Sequence, residues 1–344
     1  METLVAQIAS IRTGNRQVML VSSGAVGLGM RTLGLQRRPK QLSMIQALAA
    51  TGQSKLMAEY EKASAVHGFH VAQLLLTAED LRDRSHHLNI VNCIGELWNS
   101  GILPIINEND SVSVAELKFG DNDMLAALLA SMTRADLTIL LTTVDGLHTT
   151  SGGKLDKRIS VVQKIESGMM QMAAGTDDSS LSTGGMASKL KAAQVVTAAG
   201  GHIWIADGRD PRVLERIFNA EDVGTLFLPQ ARQLESRKRW IGFFSKPKGS
   251  IYVDKGAAAA ILERGKSLLP SGITRVKGEF GRGDTIEICN NESAPFARGL
   301  ANYGSAEIKV IAGKKTSDMQ HFLESPVTDD EVVHRNNMVI LENK

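Results

Sequence analysis

The chain has 344 residues, a length that predicts two domains. Hydrophobic residues make up 43% and charged residues 22%, a balance typical of globular proteins that excludes wholesale disorder and collagen-like repeats. The 39 Lys and Arg residues nearly balance the 37 Asp and Glu residues, so a net charge of +2 argues against general binding of polyanions, although one face could still be basic.

Two features predict a cytoplasmic protein with no membrane segment. No apolar run approaches the roughly 20 residues of a membrane helix, and residues 1–14 lack the pattern of a secretory signal. The two cysteines, Cys93 and Cys289, lie far apart in the sequence, so they predict neither a disulfide framework nor a metal-ligand pair.

Helices and strands are predicted to alternate over the first two-thirds of the chain. Helical spacing of apolar residues predicts helices over residues 2–12, 41–66, 80–100, 123–132 and 186–199. Near-continuous apolar runs predict strands over residues 17–21, 70–76, 102–106, 137–141 and 202–206. This alternation predicts an α/β fold over residues 1–231, an αβα sandwich in which helices cover both faces of a mainly parallel sheet. In such sheets ligands bind beyond the carboxyl ends of the strands.

The last third of the chain differs from the rest in composition and in its predicted elements. Residues 232–248 are charged or rich in Lys, Pro and Gly, which predicts a linker. Residues 249–344 predict a small mixed β domain with strands over residues 250–253, 273–276, 285–289 and 297–301 and helices over residues 257–264 and 305–311.

Polar motifs follow the first and third predicted strands. Residues 22–29 read SSGAVGLG, where small residues allow close approach of the backbone to an anion, although a tight strand-to-helix turn is an equally good interpretation. Residues 107–110 read NEND, in which Asp110 could take an ammonium group and Asn107 could hydrogen-bond a carboxylate, or the four could form an Asx turn. Residues 120–123 read GDND, which suits a site that holds a cation or orients a lysine, unless Asp121 merely caps the next helix.

Two further motifs point to a nucleotide. Thr142 and Thr143 follow the fourth strand and could line a pocket, although Thr is common at strand ends. Residues 182–186 read STGGM and lead into a helix with Lys189 in its first turn. Glycines before a helix with a nearby lysine can bind phosphate as a P-loop does, but the Walker A spacing is absent and a flexible loop is the alternative.

Four segments of the chain resemble the glutamate 5-kinases of the amino acid kinase superfamily. In chain order they read SSGAVGLG, INENDSVSVAELKFGDND, LLTTVDGLHT and STGGMASKLKAA. The segments LESRKRWIGFF and IYVDKGAAAAILERGKSLLPSGITRVKGEFGRGD resemble the end of the same family, whose appended PUA domain separates it from carbamate, uridylate and aspartate kinases. The resemblance covers nearly all of the chain. It implies ATP-dependent phosphorylation of the side-chain carboxylate of L-glutamate to γ-glutamyl phosphate, the first step of proline biosynthesis.

The resemblance also implies roles for particular residues. Ser23, Asp110 and Asn122 match the family's glutamate contacts, with Asn107 nearby, and Asp123 matches an acid that organises catalytic lysines. Lys189 matches a lysine that stabilises the transition state. The nucleotide-binding segments correspond to Thr142, Thr143, Thr183, Gly184, Gly185, Met186, Ala187, Ser188 and Lys189. The implied cofactors are ATP and Mg²⁺, with no metal ligand assigned, and the implied partners are further copies of the chain and proline as a feedback inhibitor.

The chain departs from the family pattern at its start. Members normally begin with a further strand carrying K-x-G-[ST], whereas this sequence opens in the helix that follows, so we expect a sheet without one central strand and weak or absent activity. Thr143 stands where many members carry Asp. Two alternatives remain open: a decayed kinase whose PUA-like domain binds RNA or a regulator, and a kinase for another acceptor such as aspartate.

Overall fold

A computed structural model divides the chain into two compact units, Met1–Gln233 and Leu234–Lys344. The structure describes residues 1–113, 122–151, 154–166, 168–170, 185–230, 238, 240–290, 295–323 and 326–341. The predicted nucleotide residues Thr183 and Gly184 and the predicted boundary at residues 231–232 lie outside the described residues.

The first unit alternates helices and strands in the order that the sequence predicts. The described helices are α1 (Glu2–Arg12), α2 (Ala25–Thr32), α3 (Leu42–Ala65), α4 (Ala78–Arg82), α5 (Arg84–Asn99), α6 (Asn122–Thr133), α7 (Met186–Ala198) and α8 (Val213–Phe218). The described strands are β1 (Leu20–Val21), β2 (Val71–Leu76), β3 (Leu103–Glu108), β4 (Leu137–Thr142), β5 (His148–Ser151), β6 (Lys154–Arg158), β7 (Val161–Val162), β8 (His202–Asp207) and β9 (Thr225–Phe227).

The predicted α/β class is confirmed by burial on both sides of the sheet. Strand β3 is buried along its whole length. Leu103 and Ile105 belong to a core that includes residues of α1, α3 and α8. Ile106 points the opposite way and is also fully buried. Because both faces of β3 are covered, its residues 103–106 form a continuous apolar run.

The main sheet is in two pieces rather than one. Strands β1, β3 and β2 form a parallel sheet in the order β1-β3-β2, and a second sheet has the order β4-β8-β9-β7. Within the second sheet β8 and β9 are antiparallel, and the other pairs are parallel. Helix α6 packs on β1, β3 and β4 and so contacts both pieces. In the described part of the chain β1 pairs with β3 alone and β4 with β8 alone.

Two elements differ from the predicted bounds. The helix predicted over residues 80–100 is two helices, because Thr77 and Asp80 form a capping box that begins α4 and the backbone of Asp83 is extended. The Asp83 carboxylate then accepts a hydrogen bond from the backbone N–H of His86, which begins α5 (3.0 Å). Strand β1 is shorter than predicted and includes only the end of the apolar run.

The second unit is a mixed five-stranded sheet with helices. Its described elements are β10 (Gly249–Val253), α9 (Lys255–Arg264), β11 (Ile273–Gly278), β12 (Thr285–Cys289), β13 (Pro295–Leu300), α10 (Ser305–Ile311) and β14 (Met338–Ile340). The strand order is β11-β10-β12-β13-β14, and only β10 and β12 are parallel within it. A helical turn at Trp240–Phe244, inside the predicted linker, buries Ile241 and Phe244 and packs on β13 and β14.

Candidate active site

Three side-chain amides form a hydrogen-bonded network at the carboxyl ends of β1 and β3. Nδ2 of Asn107 donates to Oε1 of Gln53 on α3 (3.0 Å). Oδ1 of Asn107 accepts from the backbone N–H of Glu108 (2.9 Å) and from Nδ2 of Asn122 (3.2 Å). The same Nδ2 of Asn122 donates to the backbone carbonyl of Ser22 (2.9 Å). We call Gln53, Asn107 and Asn122 the amide network.

Backbone partners identify which way each amide of the network is turned. The N–H of Glu108 can only donate and the carbonyl of Ser22 can only accept, so each Asn has one possible orientation. Gln53 must then present Oε1 to Asn107, and its Nε2 is buried without a hydrogen-bond partner among the described residues. An unsatisfied buried donor of this kind costs about 1–3 kcal/mol. The amide of Gln53 therefore has a cost that packing alone does not explain.

Helix α3 contributes a polar stripe that the sequence analysis missed. Gln46, Gln53 and Tyr60 are seven residues apart and share one helix face. Gln46 donates to the carbonyl of Ser113 (3.3 Å), and the Tyr60 hydroxyl lies 2.8 Å from Oγ of Ser22. Burial raises the pKa of Tyr60, so the phenol stays protonated at neutral pH. The signal was available as a seven-residue repeat of polar side chains in an Ala- and Leu-rich helix.

A buried ion pair lies beside the amide network. Nζ of Lys189, in the first turn of α7, is 2.9 Å from Oδ2 of Asp123, in the first turn of α6. The two side chains are only 9% and 18% exposed. Asp123 directly follows Asn122, so the ion pair and the amide network are neighbours. The structure therefore brings the predicted Lys189, Asp123, Asn122 and Asn107 together at one place.

The start of α7 offers backbone donors next to Lys189. Gly185 precedes the helix in an extended conformation and provides no side-chain cap for it. The predicted nucleotide residues Met186, Ala187 and Ser188 occupy the first turn and are half-buried. The amides of a first helical turn and a lysine together favour an anion such as phosphate.

The glycine-rich segment after β1 forms the tight strand-to-helix turn that the sequence analysis gave as its structural alternative, and it also allows two helices to pack closely. Gly24 has a φ of 108° where the chain enters α2. A Cβ on Gly29 would collide with the backbone carbonyl of Leu48, and one on Gly52 would collide with that of Ala25. The backbones of helices α2 and α3 thus pack directly against each other. This packing explains why residue 29 is a glycine, with no need for a bound ligand as the reason.

Ser23 and Asp110, two predicted substrate contacts, border this place. Ser23 follows β1 and is exposed, and Asp110 is half-buried three residues beyond Asn107. Their substrate roles stay predictions.

A second polar region lies beyond the carboxyl ends of β4 and β8. Thr142 ends β4 and is half-buried, and Thr143 is exposed. A cavity of about 200 Å³ nearby is lined in part by Asp145, Arg158 and Asp207.

Charged pairs surround this cavity. Nε2 of His148 lies 2.7 Å from Asp145 and lowers the pKa of that carboxyl. The Arg209 side chain hydrogen-bonds Asp207 and lowers its pKa in the same way.

The described residues include neither a cluster of metal ligands nor a membrane-spanning helix. No group of three His, Cys, Asp or Glu side chains in these ranges could hold a metal ion. None of the helices that the structure describes has both the length and the apolar composition of a membrane span.

Comparison with known proteins identifies both units. The amino acid kinase family matches residues 1–207, and the PUA domain family matches residues 249–323. A glutamate 5-kinase of Desulfotalea psychrophila is 46% identical over 341 residues, covering 98% of this chain and 90% of the relative. A glutamate 5-kinase of Caldanaerobacter subterraneus is 44% identical over 344 residues, covering 99% of this chain and 92% of the relative.

Among solved structures, carbamate kinase from Giardia lamblia is 18% identical with a TM-score of 0.45, and the match covers 67% of this chain and 89% of that one. The curated relatives match across both units of this chain at more than 40% identity. The chain therefore belongs to the glutamate 5-kinase family, within the amino acid kinases that carry a carboxyl-terminal PUA domain.

Proposed function

We infer that the chain transfers the γ-phosphoryl group of ATP to the side-chain carboxylate of L-glutamate, giving γ-glutamyl phosphate for proline biosynthesis. The glutamate 5-kinases that match nearly the whole chain support this function. The observation that carries it is the buried Lys189–Asp123 ion pair beside Asn122. The Lys189 ammonium group is a positive charge held in place next to side-chain amides that can hydrogen-bond an amino acid.

Phosphoryl transfer needs positioning and charge neutralisation more than covalent chemistry from the protein. Lys189 has three N–H donors, and Asp123 takes one of them. We propose that this ammonium group stabilises the phosphoryl oxygens as negative charge moves toward the leaving group. Asp123 holds the ammonium group in place.

We propose that Ser23, Asn107, Asp110 and Asn122 bind glutamate. Asp110 suits the α-ammonium group, because it is a half-buried carboxylate directly beyond β3. It is not a general base in this scheme, since the attacking carboxylate of the substrate has no proton to lose.

We propose that the nucleotide lies between the start of α7 and the end of β4, with Thr142, Thr143 and residues 183–189 contacting it. Magnesium would enter as MgATP, because Mg²⁺ commonly stays on nucleotide phosphates and water. Homo-oligomerisation, inhibition by proline and a cytoplasmic location belong to the same proposal. The unpaired thiols Cys93 and Cys289 are compatible with that location.

A coupled assay of ADP release tests the function. We expect release that depends on L-glutamate, with hydroxylamine trapping the acyl phosphate as a hydroxamate. Aspartate, one methylene shorter, separates this function from a kinase for another acceptor. Faster turnover with aspartate, or ADP release that does not depend on any acceptor, would contradict the proposal.

RNA binding by the second unit is a second candidate function. A cavity of about 660 Å³ beside α9 is lined by the cationic side chains Lys266 and Arg335 and by His334, although Asp254 and Glu331 also border it. Fluorescence anisotropy with a labelled RNA oligonucleotide at two salt concentrations tests it. Binding that weakens steeply with salt and with Lys266→Glu supports this function, and no binding at micromolar protein excludes it.

A further inference from the structure

Gln53 is a buried amide whose Oε1 accepts a hydrogen bond while its Nε2 has no partner among the residues that the structure describes. Its residue is 8% exposed, its Oε1 accepts from Asn107, and its Nε2 has no partner in the described ranges. Methionine would fill a similar volume in the middle of α3 without burying a polar group. The amide therefore points to a requirement other than packing.

The directions of the hydrogen bonds in the amide network explain why an amide is needed at position 53. Oε1 of Gln53 satisfies Nδ2 of Asn107, which leaves Oδ1 of Asn107 to accept from Asn122. Nδ2 of Asn122 is then committed to Asn107 and to the carbonyl of Ser22. The remaining polar atom of the Asn122 side chain is Oδ1, which can only accept a hydrogen bond. A hydrogen-bond acceptor suits an ammonium group and not a carboxylate.

We propose that Gln53 is a substrate-positioning residue: it holds the Asn107 amide, which together with the Ser22 carbonyl leaves Oδ1 of Asn122 to accept from the α-ammonium group of the substrate amino acid. It acts through Asn107 and Asn122 and contacts neither ATP nor the transferred phosphoryl group. This inference rests on the proposed function and adds the substrate group that the amide network selects.

Binding of L-glutamate and of glutarate, the same diacid without the amino group, tests the inference. Calorimetry on the full chain gives both dissociation constants, so the result does not depend on turnover. We expect Gln53→Met to weaken glutamate binding about tenfold and glutarate binding hardly at all, so the preference for glutamate falls about tenfold. In the kinase assay KM for glutamate should rise while KM for ATP stays within twofold of its original value.

Conservative and control variants separate this role from a structural one. Gln53→Glu keeps an oxygen acceptor for Asn107 and should retain most of the preference for glutamate. Gln7→Met removes a comparable acceptor elsewhere, since Oε1 of Gln7 accepts from the backbone N–H of Leu214 (2.9 Å). It should lower the thermal stability and leave the preference unchanged. If Gln53→Met does not fold, Gln53→Asn asks the same question with a side chain too short to reach Asn107.

The inference is overturned if Gln53→Met keeps the original preference while the unmutated chain binds glutamate. It is also overturned if Gln7→Met loses the preference to the same extent. If the unmutated chain neither binds nor phosphorylates glutamate, the proposed function itself fails, and this inference fails with it.

Discussion

At the carboxyl ends of β1 and β3 most of the hydrogen-bonded polar side chains are buried amides, whereas beyond β4 and β8 most are charged and several are exposed. Asn107 and Gln53 are both more than nine-tenths buried. By contrast, the Asp145 side chain is 64% exposed and that of Arg209 is 70% exposed.

The contrast matters because water weakens exposed ion pairs, whereas hydrogen bonds between buried polar groups are strengthened by the low dielectric constant of the interior. The first region can fix the geometry of a small substrate. The second can adjust its side chains around a ligand at little cost to stability.

The largest expected effect is at the Lys189–Asp123 ion pair of the buried region. Lys189→Met removes the cation that we propose stabilises the phosphoryl group, so kcat should fall at least about 10²-fold. It also leaves Asp123 buried without its partner, which should lower the free energy of unfolding by roughly 3–5 kcal/mol. Steady-state kinetics and urea unfolding measure the two effects.

Two variants separate the catalytic effect of Lys189 from its effect on stability. Lys191→Met removes an exposed lysine from the same helix and should change neither quantity appreciably. Asp123→Asn combined with Lys189→Met should recover much of the stability and none of the activity. A single variant Lys189→Met with unchanged kcat would exclude the proposed role of this lysine.

The next effect tests whether the close packing of α2 and α3 supports the buried region. Gly52→Ala drives a methyl group into the carbonyl of Ala25, and it should lower the free energy of unfolding by about 1–3 kcal/mol or more. Gly95→Ala is the matched control, because a Cβ at Gly95 meets nothing within 4 Å in the interior of α5. That change should stabilise the chain by up to about 1 kcal/mol. Equal unfolding free energies for the two variants would contradict the close-packing argument.

The smallest effect concerns the exposed region. A hydrogen bond from His148 lowers the pKa of Asp145 below its unfolded value, so the pair stabilises the chain above about pH 4. This contribution is lost as the pH falls through the folded pKa. Because the carboxylate is largely exposed, Asp145→Asn should cost less than about 1 kcal/mol at pH 7 and progressively less as the pH falls below about 4.

Urea unfolding at several pH values measures the effect of Asp145→Asn. Asp156→Asn, an exposed change on β6, is the control and should leave the pH dependence unaltered. A cost of several kcal/mol at neutral pH would mean that the two regions are more alike than their exposures indicate.

Much of the fold could be predicted from local pattern. Helix α1 has the predicted bounds, and α3, α7 and β2 begin and end within one residue of them. Long periodic segments behave in this way because a helix or strand must bury one or both faces wherever it packs. Shorter elements such as β7, β9 and the β5–β6 hairpin were missed, because two to five residues carry too weak a pattern.

Much of the candidate site was also visible, because polar motifs after buried strands mark the ligand-binding edge of an α/β sheet. The sequence by itself determined the order of these motifs and placed Asn107, Asn122, Asp123 and Lys189 among the candidates. Only the tertiary structure decided which of them touch: Asp123 and Lys189 are 66 residues apart, and Gln53 and Asn107 are 54 apart. From the sequence alone, a glutamine on a helix is expected to face solvent. Only the position of the neighbouring strand shows that Gln53 is buried. Hydrogen bonds of such range depend on how whole elements pack, and local periodicity holds no information about that.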